Sequence, residues 1–263
     1  MRSMSIFVLL ALITSPAVAA DESPWRLGAA LGYGERSNPL AQSERVPIIV
    51  DLDIAWFGER FFFDNGDLGL TVTDTRLVTA NVVARVNSDR VFFGRTNTRF
   101  VNVSLTGQAL SHTVQLTIPD RSYAVEAGLE LLASGRWGHL QAAAHRDVGN
   151  THEGYEIDLE YGLGLRYERW YVEPSLGISF KSAALNTYYW GVREGEANEA
   201  MPAYEAGSGF NLRGGLRVGY HFSRHWAVSF AARYERLNDE AAASPIVVDR
   251  SVLGYFGGVG YRF

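Results

Sequence analysis

The sequence predicts an all-β fold, an antiparallel transmembrane barrel of about twelve strands with ten to fourteen as the range. Three observations predict it. Apolar and polar side chains alternate with period two through most of the chain, short and long connections alternate between those stretches, and the chain opens on an export-type segment.

The opening segment places Arg2 before an apolar stretch at 6–13, then Pro16 and the small residues Ala17, Val18, Ala19 and Ala20. That order is the layout of a secretory signal, with cleavage expected after Ala19 or Ala20. Residues 1–20 are therefore read as signal peptide and 21–263 as barrel. The apolar stretch is too short for a membrane-crossing helix, which takes roughly 20 residues. The chain has no cysteine, so neither lipoprotein attachment nor disulfides are expected.

Composition narrows the class. Hydrophobic residues make up 47%, aromatics 13%, and glycines number 27. No later stretch approaches 18 consecutive apolar residues, which excludes helical spans, while abundant Gly, Tyr, Phe and Trp suit a closed sheet in lipid. Lys and Arg number 24 against 29 Asp and Glu, a net charge of −5; residues 1–20 hold Arg2 and no acid, so without them the balance is 23 against 29, or −6. Nothing in that balance attracts phosphates, and a nucleic-acid partner is excluded.

The clearest alternation runs over 155–168. Tyr155, Ile157, Leu159, Tyr161, Leu163, Leu165 and Tyr167 share one face; Glu156, Asp158, Glu160, Gly162, Gly164, Arg166 and Glu168 share the other. A helix would scatter both sets, whereas a strand separates them. At 169–181, Trp170, Val172, Pro174, Leu176, Ile178 and Phe180 oppose Tyr171, Glu173, Ser175, Ser179 and Lys181. At 212–222, Leu212, Leu216, Val218, Tyr220 and Phe222 oppose Arg213, Arg217 and His221, and at 226–235 Trp226, Val228, Phe230 and Tyr234 oppose Ser229, Arg233 and Glu235. A soluble sandwich also alternates, but its strands are usually near 5–6 residues.

Strands are placed at 25–33, 46–56, 60–72, 75–86, 98–106, 121–133, 137–147, 154–168, 169–181, 210–222, 225–237 and 251–263, with a bulge at Asn65-Gly66. Short connections fall near 57–60, 134–136, 168–169 and 223–225; longer ones at 34–45, 107–119, 147–154, 182–209 and 238–250. Short periplasmic turns and long outer loops give that asymmetry, and an even strand count leaves both ends in the periplasm. The last strand sets Leu253, Tyr255, Val259, Tyr261 and Phe263 on one face, and Tyr261 and Phe263 resemble the signal read by the outer-membrane assembly machinery. Outer-membrane lipid and that machinery are the expected surroundings.

The inward faces are charged: Asp51, Asp53, Glu126, Glu130, Glu156, Asp158, Glu160, Arg166, Glu173, Arg213, Arg217, Arg233 and Glu235. A barrel this size has a modest interior that long side chains can fill, so a lumen plugged by Arg–Glu pairs is expected, with a small diffusion pore as the alternative. His139, His145 and Asp147 lie on one strand, but no spacing makes them converge on a nucleophile, and no metal-ligand spacing occurs. A lumenal hydrolase built on His139 or His145 is accordingly disfavoured; no catalytic residue, metal or cofactor is assigned. Gly162-Leu-Gly164 and Gly257-Gly258-Val-Gly260 sit in strands, without the following helix a phosphate cradle needs. The connection 182–209 is rich in Tyr188, Tyr189, Trp190, Pro202 and Tyr204 beside Glu194, Glu196, Glu199 and Glu205. It reads equally as a partner-binding loop and as a lid over the barrel mouth.

Several segments together resemble the MipA/OmpV family of outer-membrane proteins. They are Trp25-Arg-Leu-Gly-Ala-Ala-Leu-Gly-Tyr33, Gly58-Glu-Arg-Phe-Phe-Phe63, His145-Arg-Asp-Val-Gly-Asn150, Tyr188-Tyr-Trp-Gly-Val192 and Pro202-Ala-Tyr-Glu-Ala-Gly-Ser-Gly209. Arg236-Leu-Asn-Asp-Glu240, Ser244-Pro-Ile-Val-Val-Asp-Arg250 and Gly260-Tyr-Arg-Phe263 complete the set. The resemblance covers most of 25–263 and is most specific from about 145 onward. It implies a cell-outer-membrane barrel without established catalysis, in a family whose namesake is thought to scaffold a murein-degrading lytic transglycosylase and a bifunctional murein synthase. Other members are linked to osmotic response, adhesion or antibiotic susceptibility. A non-enzymatic scaffold is thus the function expected.

Overall fold

A computed structural model describes residues 23–41, 43–93, 98–104 and 111–263. The segment expected to be a signal peptide, 1–20, lies outside the described residues.

The strands are β1 (Trp25–Arg36), β2 (Val46–Phe57), β3 (Phe61–Asp64), β4 (Asp67–Asp74), β5 (Val78–Val86), β6 (Thr98–Ser104) and β7 (Ser111–Thr117). They continue with β8 (Val125–Gly135), β9 (Gly138–Asp147), β10 (Tyr155–Gly162), β11 (Leu165–Tyr167), β12 (Trp170–Lys181), β13 (Gly209–His221), β14 (Trp226–Arg236) and β15 (Ser251–Arg262). Thirteen of them form one antiparallel sheet, in which β15 pairs with β1 and β10 with β12, so the sheet meets itself. Since β10 and β11 are successive pieces facing the same strand, β12, the wall has twelve staves. The described residues contain no helix long and apolar enough to cross a membrane; this chain crosses with strands.

The pleat sorts the side chains. Leu27, Leu31, Leu68, Val82, Leu129, Leu131, Ile157, Leu159, Leu176, Leu216, Val228 and Val259 lie exposed on the outer surface. So continuous an apolar belt would be a liability in water, since a soluble monomer rarely exposes more than a few hundred Å² of it. In lipid it is the required surface. Exposed aromatics ring its two margins, with Trp25, Trp137, Trp170 and Trp226 near the short turns and Tyr33, Tyr155, Phe210 and Tyr234 toward the long loops.

The structure corrects two strand assignments, and the corrections cancel in the count. The stretch 60–72 is not one bulged strand: it reverses at Asn65 and Gly66, whose φ angles of 51° and 110° form a tight turn between β3 and β4. Gly66 needs that positive φ, and Asn65 is the residue that most readily joins it there. The Asn65 side chain secures the tip: its carbonyl accepts the Ile54 N–H at 2.9 Å, and its amide donates to Asp53 and Asp64. The stretch 98–106 is not a stave either. β6 pairs only with β7, in a separate two-stranded sheet. One assigned strand became two staves and another left the wall.

The short connections read near 57–60, 134–136, 168–169 and 223–225 and the long ones at 34–45, 147–154, 182–209 and 238–250 fall between staves as read, whereas 111–117 of the connection read at 107–119 is strand β7 and the Asn65-Gly66 reversal adds a short turn at the outer end. Two of the long connections carry helix. Helix α1 (Ala183–Trp190) lies between β12 and β13, and α2 (Asp239–Ala242) lies between β14 and β15. A 3-10 turn at Ser88–Phe93 follows β5.

Candidate functional site

The candidate site is the barrel interior and the loops over its outer mouth. Alternation carries ionic side chains inward from neighbouring strands, where water is scarce and each charge needs a partner. Arg85 on β5 donates to Glu126 of β8 at 2.9 Å and to Glu156 of β10 at 2.7 Å. It also lies 3.7 Å from Asp158. Arg213 reaches Asp158 at 2.6 Å and Arg217 reaches Glu173 at 3.2 Å; Arg233 lies 3.7 Å from Glu160. Asn211 donates to Glu235, and Ser179 to Glu156. Asn81 and Gln141 both donate to Glu130, and Arg26 forks between Asp53 and Asp64. Arg166 stands apart: it is exposed on β11, its guanidinium over the Tyr171 ring at 5.6 Å.

One pair crosses the interior. Asp89, on the 3-10 turn after β5, accepts from Lys181 Nζ with both carboxylate oxygens, at 2.7 and 2.6 Å. Lys181 stands on β12, four staves away around the wall from β5. The same turn reaches the far side as well: Asn38 donates to the Phe92 carbonyl at 2.9 Å, and Arg36 lies over the Phe92 ring at 4.6 Å. The turn thus spans the lumen as an internal plug.

Above it the long loops form a small apolar core. Leu185, Tyr189 and Trp190 of α1 pack with Phe92, Phe93, Leu40, Ile118, Met201, Leu237 and Ile246, drawn from every long connection except 148–154. Trp190 is 0% exposed, with ring centroids 5.7 Å from Phe92 and 6.0 Å from Phe93. α1 starts where it does because Ser182 Oγ accepts from both Leu185 N and Tyr155 N, tying the helix to β10. The remaining connection joins through His152. Its Nδ1 accepts the Gly154 N–H at 3.0 Å, which leaves the ring proton on Nε2, 3.1 Å from Glu126. The Arg121 guanidinium, fully buried, straps the lid by donating to both Glu196 oxygens and to the Gly191 carbonyl.

That strap has a pH dependence. Burial works to raise the Glu196 carboxyl, but the Arg121 hydrogen bonds and the Arg193 backbone N–H outweigh it and hold the group below the usual glutamate range. A folded-state pKa below the unfolded one adds stability above the ordinary glutamate value of about 4.3 and loses it as the pH falls through the lowered value. Hydrogen exchange of backbone amides at 118–124 and 191–197, corrected for intrinsic rates, should therefore speed up between pH 5 and 3 (roughly the titration window). Glu196→Gln should lose most of that acceleration.

Among the lid residues singled out from sequence, Tyr189 and Trp190 are buried, Tyr188 and Tyr204 half-buried, and Pro202 exposed. Tyr188 accepts the Ser122 N–H, and Tyr204 donates to the Glu240 carbonyl. A cleft of about 400 Å³ on the outer surface of the lid is lined in part by Thr187, Arg193, Tyr204 and Glu205. His139 and His145 stay apart from any nucleophile arrangement. The His139 ring sits against Gly162, His145 is buried, and Asp147 accepts the backbone N–H groups of Gly149, His152 and Glu153. Tyr261 packs between Trp226 and Phe263 at the closing strand. Sequence reasoning did not single out Arg85, Asp89, Arg121 or His152. Arg85 occupied an inward position of a strand already assigned, and Arg121 fell in the strand read at 121–133, which begins only at Val125; Asp89 and His152 lie where no periodicity holds.

A family model described as "MltA-interacting protein MipA" matches residues 27–263. Among curated proteins, the MltA-interacting protein of Escherichia coli is 25% identical over 265 residues, covering 100% of this chain and 99% of that one. Outer membrane protein OmpV of Vibrio cholerae is 29% identical over 167 residues, 59% of this chain and 63% of its own. Outer membrane protein Omp26La of Vibrio anguillarum is 27% identical over 179 residues, 65% and 69% of the two chains. Among solved structures, a FadL homologue of Pseudomonas aeruginosa gives a TM-score of 0.41 at 7% identity, covering 91% of this chain and 89% of that one. A loop-deleted OmpT of Vibrio cholerae gives 0.37 at 8%, covering 92% and 100%.

Proposed function

The chain belongs to the MipA family of outer-membrane proteins, and from that premise we propose that it is a closed barrel working as a scaffold rather than as a conduit or a catalyst. The observation that carries this reading is the double closure of the lumen, by the Asp89–Lys181 bridge and by the apolar core over it. A pore would need a continuous wet path; a hydrolase would need a nucleophile beside an oriented base. What remains for the barrel to offer is surface.

The partner we propose is a murein lytic transglycosylase, with a murein synthase beside it, as the name of the Escherichia coli relative suggests for the first of them. Short turns face the periplasm, where such enzymes work, so the contact surface is assigned to the turn at 58–60, its counterparts and the chain ends. We further assign residues 1–20 to export and Tyr261 with Phe263 to recognition by the assembly machinery.

Two measurements test this. The purified barrel in planar bilayers should show no reproducible conductance steps. Immobilised in nanodiscs, it should bind a purified murein lytic transglycosylase saturably, and replacing residues 58–60 by Gly-Ser-Gly should weaken that binding at least tenfold, about 1.4 kcal/mol. Steady conductance, or no retention of the transglycosylase, would overturn the scaffold reading.

A further inference from the structure

The chain carries a net charge of −5, yet its periplasmic end is basic. The staves meet there at six junctions, five short turns and the adjoining ends of the first and last strands. Each junction holds one arginine. Arg60 lies between β2 and β3, Arg76 between β4 and β5, and Arg136 between β8 and β9. Arg169 lies between β11 and β12, Arg224 between β13 and β14, and Arg262 ends β15 beside β1. All six are exposed, and none has a side-chain partner among the described residues. Glu59, Asp74 and Glu168 stand at the same junctions without pairing to an arginine. The outer loops do the opposite: Arg45, Arg90, Arg121, Arg193 and Arg250 each lie within 3.9 Å of a carboxylate. A guanidinium left in water keeps its charge and its fork of donors for whatever approaches.

The ring is regular because the wall is. Neighbouring junctions are two staves apart, which at the strand spacing and tilt of a barrel is about 12 Å along the rim. That exceeds the Debye length of about 8 Å at physiological salt, so the charges repel one another little while the barrel stands free. Closed on itself, the ring is roughly 23 Å across. With the reach of its side chains it covers roughly the 800 Å² that one partner contributes to a standard protein interface. Trp137 and Trp170 follow Arg136 and Arg169 directly and are exposed toward lipid, so these guanidinia sit at the periplasmic edge of the girdle. An extended glycan strand crossing the ring would meet only a pair of the arginines. Lipid headgroups would meet each one singly and have no use for a ring. A broad, compact face can meet them all.

We propose that this arginine ring is the docking surface of the barrel and that its partner is a protein presenting a carboxylate-rich face of matching breadth. The inference rests on the scaffold reading for the partner's identity and adds the chemistry of the contact: the murein enzyme held here turns Asp and Glu side chains to the rim. Exposed charges of this kind act mainly on the association rate and on its salt dependence.

A purified murein lytic transglycosylase should associate with the nanodisc-embedded barrel at least tenfold faster at about 50 mM salt than at about 500 mM. Arg60→Gln, Arg136→Gln and Arg224→Gln together, at every second junction, should slow association at least tenfold at low salt and flatten its salt dependence. Arg45→Gln, in an outer loop, should change neither. A triple variant that binds at the wild-type rate with the same salt dependence would overturn the ring and leave the scaffold standing. Should the wild type not bind the transglycosylase, the scaffold reading fails instead, and poly-L-glutamate decides the ring. Its retention by the wild type and loss in the triple variant supports the ring; equal retention, or none, overturns it. Both arms are run in phosphatidylcholine discs with and without phosphatidylglycerol. If the anionic lipid erases the difference between wild type and triple variant, the leaflet occupies the arginines and protein docking is overturned. Heat-modifiable migration checks that each variant folds, and should the triple variant not fold, the wild-type salt series decides.

Discussion

Replacing Lys181 with methionine should destabilise the barrel by about 3–5 kcal/mol, the range found when one partner of a buried ion pair is removed. Lys181 is 3% exposed and is the cation that both oxygens of Asp89 meet. Without it the Asp89 carboxylate faces Glu156, whose nearest Lys181 contact is 3.8 Å, with only the longer-range attraction of cations such as Arg36 to offset the repulsion. The double change Lys181→Met with Asp89→Leu should recover most of the loss. It removes both charges together, and Glu156 keeps Arg85 and Ser179. Urea unfolding of the micelle-bound barrel, followed by tryptophan fluorescence and the heat-modifiable gel band, measures all three. A loss below about 1 kcal/mol for Lys181→Met would be the behaviour of a solvated pair. Water would then reach the bridge, and the closed-lumen basis for the scaffold reading would go with it.

The wall was legible in sequence because a barrel in lipid gives each strand residue one of two environments. From 155 to 162, inward Glu156, Asp158 and Gly162 are buried while outward Tyr155, Ile157, Leu159 and Tyr161 are exposed to lipid, with no residue misassigned. The failure at 60–72 has a specific cause. Phe61 and Phe63 face outward before the turn, and Leu68, Leu70 and Val72 after it, so the parity slips by one. A bulge and a two-residue turn both produce that slip, and periodicity alone cannot separate them. The Asn-Gly dipeptide was the discriminating signal. Residues 98–106 failed differently: alternation reports a strand but not its neighbour, and β6 found β7 instead of the wall. The internal plug was out of reach of any local pattern. Asp89 and Lys181 are joined across 92 residues of sequence, and the turn that carries Asp89 follows the end of β5's alternation. Even α1 gave no helical stripe in sequence: Leu185, Asn186, Tyr189 and Trp190 share one buried face, but that face includes the polar Asn186 while Ala183, Ala184 and Tyr188 lie off it, so hydrophobicity varies little around the axis.

Trp190→Ala should cost about 3–5 kcal/mol, the range for emptying a buried tryptophan site, and the loss should fall on the lid rather than on the barrel. The Trp190 ring partners are Phe92 and Phe93, and its backbone carbonyl accepts from Ser244, all three in loops; of the buried residues in its cluster only Val252 belongs to a wall strand. Protease added from outside should cut within 182–208 and 237–250 while the heat-modifiable barrel band persists. Conductance separates the two closures. With the lid loosened, the Asp89–Lys181 bridge still crosses the lumen, so Trp190→Ala alone should leave bilayers silent. Adding Asp89→Ala and Lys181→Ala removes the second barrier without leaving a buried charge, and that triple variant should give discrete steps. Steps from Trp190→Ala alone would mean that the bridge bars nothing and that the lid is the whole seal. Silence from the triple variant would mean that other pairs, Arg85 with Glu126 and Glu156 foremost, close the lumen by themselves.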